Sequence, residues 1–175
     1  MAQNEALKAQ LAELQSVATQ LPSVPSNYLR AIVYSRYPLN FKNEILLNVG
    51  SNNSVVAGKA VVFQGILIGA VEKVFPDSAL VQTVFDSSFK MPVRVGPKGY
   101  DALFVGGALP KAVSIKKDAV LAPGDIVSAA ASGFPYGIPV AVVVSTSTSP
   151  DNLFEEATLG FAYDVNAVQT VLVAR

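Results

Sequence analysis

From Leu29 onward the apolar residues fall in short runs, each closed by Gly, Pro, Asn or Asp. The runs hold four to seven residues rich in Val, Ile, Ala and Phe. That spacing suits half-buried strands separated by turns and is too short for ordinary helices. Strands are expected near 29–36, 44–49, 60–64, 66–74, 79–85, 91–95, 102–105, 112–116, 125–130, 138–146, 153–163 and 167–173. In 79–85, Ala79, Val81, Thr83 and Phe85 share one face, and Leu80, Gln82 and Val84 the other. A dozen such strands with no helices between them predict a mainly β body of two small barrels or sandwiches. The missing strand–helix alternation argues against Rossmann and TIM-barrel architectures.

The N-terminal segment has a different period. Its first 20 residues lack Gly and Pro and are rich in Ala, Leu, Gln and Glu. Leu7, Leu11, Leu14, Ala18 and Leu21 step by 4, 3, 4 and 3, the seam of a heptad coiled coil. Pro22 and Pro25 end it. The spacing predicts a helix over 1–21 and a linker over 22–28, with the seam available for self-association. A helix of this length is marginal alone in water and must pack on a second copy or on its own domain.

The residues that are absent narrow the chemistry. There is no His and no Cys, which removes Ser-His-Asp and Cys-His nucleophiles, imidazole and thiolate metal sites, and disulfides. Thirteen basic residues balance 13 acidic ones, so the general basic face of a nucleic-acid binder is not expected. The charge is unevenly placed. Lys90 to Lys117 holds six basic residues and one acid, a net of +5; Asp118 to Arg175 holds one basic residue and six acids, a net of −5. No run approaches the roughly 20 apolar residues of a membrane span. Any membrane anchor is expected upstream of this sequence.

Several catalytic patterns fail on spacing. Gly50 to Lys59 has seven residues between its glycines and Ala60 after the lysine, which breaks the phosphate-loop pattern. Asp86-Ser87-Ser88 lacks the glycine of an aspartic-protease loop and has no second copy to share a proton. Glu155 and Glu156 are adjacent, so on a strand they point to opposite faces. Ser114 and Lys116 share a face, a pattern better explained as a solvated basic edge. Asn52-Asn53-Ser54 matches the short glycosylation pattern, which is weak. No catalytic residue, cofactor or metal is expected.

The order of turn residues within the apolar strands carries more information. Asn48 to Val95 reads NVGSNNSVVAGKAVVFQGILIGAVEKVFPDSALVQTVFDSSFKMPVRV. Pro123 to Val143 reads PGDIVSAAASGFPYGIPVAVV, and Leu153 to Val173 reads LFEEATLGFAYDVNAVQTVLV. Gly50, Gly58, Gly65, Gly69, Pro92, Gly124, Gly137 and Pro139 are the structural turn positions in these stretches. With this order and spacing the chain resembles the extracytoplasmic region of the rod shape-determining protein MreC family. Ser54 stands where that family usually has Gly, and Ala141 where Gly follows the Pro-Val pair.

The resemblance implies a coiled coil followed by two small β-barrels of chymotrypsin-like topology without a protease site. On this chain it implies one barrel from 29–40 plus 102–175 and an inserted barrel over 43–101. It implies a non-catalytic scaffold of the cell-elongation and peptidoglycan-synthesis machinery at the periplasmic face of the bacterial inner membrane. Its partners would be itself, as a dimer or filament, and a class B penicillin-binding protein with other membrane proteins of the elongation complex. The periplasmic adaptor of an export system is the alternative, because it too joins heptads to β-domains. Such adaptors usually carry a long helical hairpin inside β-structure.

Composition agrees with an interaction protein. Apolar residues make up 51% of the chain and charged ones 15%, so apolar surface must stay exposed. Phe134, Pro135 and Tyr136, between Gly133 and Gly137, predict an aromatic turn that either projects to contact a partner or packs on its own barrel.

Overall fold

The computed structural model describes residues 27–37 and 43–175. The predicted helix over 1–21, with its seam Leu7, Leu11, Leu14, Ala18 and Leu21, lies outside the described residues. So does most of the 22–28 linker; Tyr28 already opens the first strand.

Twelve strands follow in order: β1 (Tyr28–Tyr37), β2 (Glu44–Leu47), β3 (Ala60–Phe63), β4 (Ile66–Val74), β5 (Ala79–Thr83), β6 (Lys90–Val95), β7 (Tyr100–Val105), β8 (Lys111–Ile115), β9 (Ile126–Ala129), β10 (Pro139–Thr148), β11 (Glu155–Gly160) and β12 (Thr170–Ala174). All pair antiparallel, and they close two six-stranded barrels. Alternation produces the faces as the pattern predicts. In β6, Met91, Val93 and Val95 point into the core, and Lys90, Pro92 and Arg94 point outward.

The pairing corrects the expected division into 29–40 plus 102–175 and 43–101. The first barrel is the ring β1–β12–β3–β4–β5–β2, and the second is β10–β11–β8–β7–β6–β9. β6 and β7 therefore belong to the second barrel, which is inserted between β5 and β12. Alternating hydrophobicity marks which face of a strand is buried but not which strand lies beside it. The closure of the first barrel is highly non-local: Tyr28 sits opposite Ala174.

Both rings share one Greek-key scheme. Numbered in chain order, the second barrel runs 1-2-3-6-5-4 around its circumference. The first barrel gives the same ring if β12 is counted as its first strand and β1 to β5 follow. It is a circular permutation: the cut lies between β12 and β1, and the second barrel enters at the join from β5 to β12.

The two barrels are packed through a shared cluster. In the first barrel Val61, Ile68, Val71, Val81, Val171 and Val173 fill the interior. Their strand neighbours Ala60, Val62, Leu67 and Ala174 point the other way, into the cluster that continues as the second barrel's core around Phe104, Val93 and Val140. β3 is consequently buried on both faces, which explains its unbroken apolar run. The connectors are residues 84–89, leaving the first barrel, and 161–169, returning to it. Phe85, Phe161 and Tyr163 on these connectors form an aromatic wedge with Phe63 of β3 and Phe104 of β7.

Candidate interaction surface

The turn residues named from the sequence hold the strands that build this surface. Gln64 and Gly65 both have positive φ, 49° and 79°, the geometry of a two-residue type I′ hairpin between β3 and β4. Gly69 and Gly50 are close approaches instead. A Cβ would lie 2.3 Å from the Gln82 carbonyl oxygen at Gly69, and 2.1 Å from that of Phe75 at Gly50. Gly58, Gly124 and Gly137 turn with positive φ in open space. Ser54 adopts φ 66°, so the serine sits in a left-handed conformation that suits glycine. Pro92 is outward on β6, where its carbonyl accepts from the Ala130 amide at 3.0 Å.

The predicted aromatic turn splits in two. Phe134 is half-buried against the second barrel's core and is an inward anchor, with Pro135 also half-buried. Tyr136 projects, at 90% exposure. Its hydroxyl accepts from Arg94 Nη1 at 3.2 Å, which ties the turn to the outer face of β6.

Beside Tyr136 runs an apolar groove that no motif announced. Ile126 of β9 and Pro139 of β10 line both halves of it. One half continues past Ser128 to Gly96, Pro97, Gly124 and Asp125. The other half adds Val142, Ala162 and Ile66, the last from the first barrel's β3–β4 hairpin. Ile126 is 55% exposed, and Val144, farther along β10, is 53% exposed. The register explains the grouping: Ile126 lies opposite Val142 and Ser128 opposite Pro139, all on outward positions of adjacent strands. The surface therefore draws on both barrels and on the connector between them. Sequence reading missed it because outward Ile and Val look the same as inward ones until the strand register is known.

The rejected catalytic patterns have structural occupations. Asp86 is a buried clamp in the connector leaving the first barrel. Its carboxylate accepts from the Asn43 amide (3.0 Å), the Ser88 amide (2.8 Å), the Ser88 hydroxyl and Gln82 Nε2 (3.4 Å). Burial pushes its carboxyl up, but those hydrogen bonds outweigh burial and hold it below the usual carboxylate range. Glu156 pairs with Lys111 at 3.6 Å, and Glu155 accepts from Thr148. Lys116 is exposed beside Lys117, which donates to the Asn152 carbonyl and side chain. Among the described residues no group of three or more metal-ligating side chains converges, and no helix is long and apolar enough to cross a membrane.

Tyr163 in the wedge is unusual. Its hydroxyl is buried with no hydrogen-bond partner, and burial raises its pKa well above the ordinary tyrosine value. An unpaired buried hydroxyl costs about 1–3 kcal/mol. Tyr163→Phe is therefore expected to raise stability by about 1 kcal/mol in urea unfolding. A loss of that size would instead place a bridging water on the hydroxyl.

Comparisons with known proteins agree with this architecture. The family model for the rod shape-determining protein MreC, barrel core, matches residues 33–175. The cell shape-determining protein MreC of Streptococcus pneumoniae is 27% identical over 172 residues, covering 93% of this chain and 62% of that relative's length. The crystal structure of MreC from Pseudomonas aeruginosa superposes with a TM-score of 0.77 at 25% identity, covering 85% of this chain and 99% of that one. The major periplasmic domain of the cell shape-determining filament MreC gives 0.71 at 24%, covering 83% and 93%. MreC in a complex with the penicillin-binding protein PBP2 from Helicobacter pylori gives 0.68 at 17%, covering 84% and 96%.

Proposed function

The chain belongs to the MreC family of rod shape-determining proteins, and on that premise we propose that it is a non-catalytic scaffold of the bacterial cell-elongation machinery. It would act at the periplasmic face of the inner membrane, join copies of itself, and hold a class B penicillin-binding protein. The observation that carries this reading is the exposed apolar groove of Ile126, Pro139, Val142 and Ile66 with Tyr136 beside it. A protein–protein contact needs such a dry centre with an aromatic anchor and a polar rim. The H. pylori relative, solved with PBP2, supports the partner class. The relative described as a periplasmic filament domain supports the compartment and self-association.

The finer features follow the same reading. The 1–21 segment would be a coiled-coil helix pairing through Leu7, Leu11, Leu14, Ala18 and Leu21, joined to the barrels by the 22–28 linker. The shared 1-2-3-6-5-4 ring order supports a chymotrypsin-like barrel topology put to structural use. Phe134 and Pro135 would seat the turn, leaving Tyr136 as its contact residue.

The test is binding of the cognate penicillin-binding protein by the full chain, measured by biolayer interferometry. Ile126→Ser with Tyr136→Ser removes exposed apolar contacts and should leave the fold intact. The expected loss is about tenfold or more in affinity, the scale of one hot-spot residue. Unchanged affinity in a folded double variant would move the contact elsewhere. Binding of an outer-membrane export channel instead would favour the adaptor alternative.

A further inference from the structure

Closed barrels have no free edges, yet β10 outruns its partner on one side. It pairs with β11 as far as Thr148, opposite Glu155. On its other side the β9 register stops at Val142 opposite Ile126. Two more bonds, Gly124 amide to Val143 carbonyl and Val143 amide to Asp125 carbonyl, end that ladder. The cause is local: the turn from Ala122 to Asp125, holding Pro123 and Gly124, takes the chain away from the sheet. Residues 144–148, Val-Ser-Thr-Ser-Thr, are left exposed along their length.

Leu159 of β11 donates to Pro110, away from β10, so Thr158 and Glu156 face β10 and bond Ser145 and Ser147 opposite them. The Ser149 amide bonds the Phe154 carbonyl, in step with this. The amides and carbonyls of Thr146 and Thr148 therefore point outward. Among the described residues nothing pairs with them. The segment carries none of the Lys or Pro residues that usually guard an edge, and only the irregularity between Val143 and Ser145 twists it.

We propose that this edge is a strand-addition site for an extended, basic segment of a partner protein. The charge selects the occupant. Glu155 lies opposite Thr148 on the same ribbon, Asp125 stands where β9 leaves, and Asp151 sits in the β10–β11 turn, while Glu156, opposite Ser147, is already paired with Lys111. Of the cations at this end, Lys111 is held by Glu156 and Lys117 donates to Asn152, with Lys116 exposed beside it. A second copy pairing antiparallel through the same residues would bring Asp125 of one chain toward Glu155 of the other, a like-charge contact that disfavours self-pairing. An incoming strand with lysine or arginine at alternate positions would gain backbone hydrogen bonds from the edge and ion pairs from its rim. The site adjoins the apolar groove at Asp125 and does not depend on which protein fills that groove.

The experiment uses the full chain and two labelled peptides, one alternating lysine with valine and one alternating glutamate with valine, read by fluorescence anisotropy. The lysine peptide should bind at least about tenfold more tightly than the glutamate peptide. Thr146→Pro removes one outward amide without touching the β10–β11 ladder and should abolish binding. Thr146→Val keeps the amide and should bind as the parent does. Glu155→Lys should remove most of the preference between peptides. Hydrogen exchange on the parent chain gives a second readout free of any folding defect: the Thr146 and Thr148 amides should become protected when the lysine peptide is added. Absence of binding, equal binding by folded Thr146→Pro, equal affinity for both peptides, or unchanged exchange would overturn the proposal. A parent dimer that Thr146→Pro dissociates would also overturn it, by assigning the edge to a second copy.

Discussion

Replacing Asp86 with alanine is expected to destabilise the folded chain by about 3 kcal/mol, a large share of an ordinary domain's 5–15 kcal/mol. The carboxylate is buried at 1% exposure and serves donors from three directions. Alanine would leave the amides of Asn43 and Ser88 without their acceptor. The position adds to the effect. Asn43 also donates to the Phe85 carbonyl and accepts from the Thr83 amide and hydroxyl. Asp86 thus joins the entry of β2 to the connector that leaves the first barrel. That connector in turn lies against Gly106, where a Cβ would come within 2.4 Å of the Asp86 carbonyl oxygen.

The same residue sets an acid limb. Its folded pKa lies below the ordinary value of 3.8, so the unfolded chain takes up the proton more readily. Its contribution is complete above the unfolded value of about 3.9 and is lost as pH falls through the folded value. Urea unfolding from pH 7 toward pH 3 should therefore show Asp86→Asn less stable than the parent at neutral pH, with the gap closing under acid. A constant gap across that range would show that the charge on Asp86 is not what stabilises the clamp.

The strands themselves were legible because their chemistry is local. All twelve expected strands overlap observed ones, since a two-residue period and turn residues act within a few positions. A mainly β body of two small barrels or sandwiches was legible for the same reason, and the choice of barrels rested on the family resemblance. What joins strand to strand was not. Tyr28 meets Ala174 across nearly the whole chain, and no short-range pattern in either segment encodes that pairing. The site divides along the same line. The exposure of Tyr136 was legible because an aromatic between turn glycines stands out. Its neighbour Phe134 was assigned the same role, but burial separates the two, and burial depends on the barrel beneath. Asp86 drew notice only as a protease-like triplet, whereas its clamp needs Asn43, a residue 43 positions away. The wedge was hidden inside an expected strand over 153–163. Its one local signal was the spacing of Phe161 and Tyr163 just after β11, which ends at Gly160.

Phe161→Ala tests whether that wedge links stability to function. Phe161 stacks near Phe85 at 4.6 Å between centroids, Tyr163 at 5.7 Å and Phe104 at 6.5 Å. It touches the outgoing connector, the returning connector and the second barrel together. A half-buried ring of this kind is expected to cost about 2–3 kcal/mol on truncation, less than the 3–5 kcal/mol of a fully buried one. The functional consequence follows from the next residue along. Ala162 lines the apolar groove between Ile66 of the first barrel and Ile126, Pro139 and Val142 of the second. The groove has its shape only while the barrels keep their relation, and the wedge fixes that relation. Phe161→Ala should therefore broaden the distribution of distances between spin labels on β5 and β8, and weaken partner binding, at a urea concentration where both barrels remain folded. Tyr163→Phe keeps the ring and should change neither. If the distances stay sharp and binding holds in Phe161→Ala, the barrels are fixed by the shared aliphatic cluster of Val62, Leu67 and Ile138, and the aromatic ring contributes only its buried area.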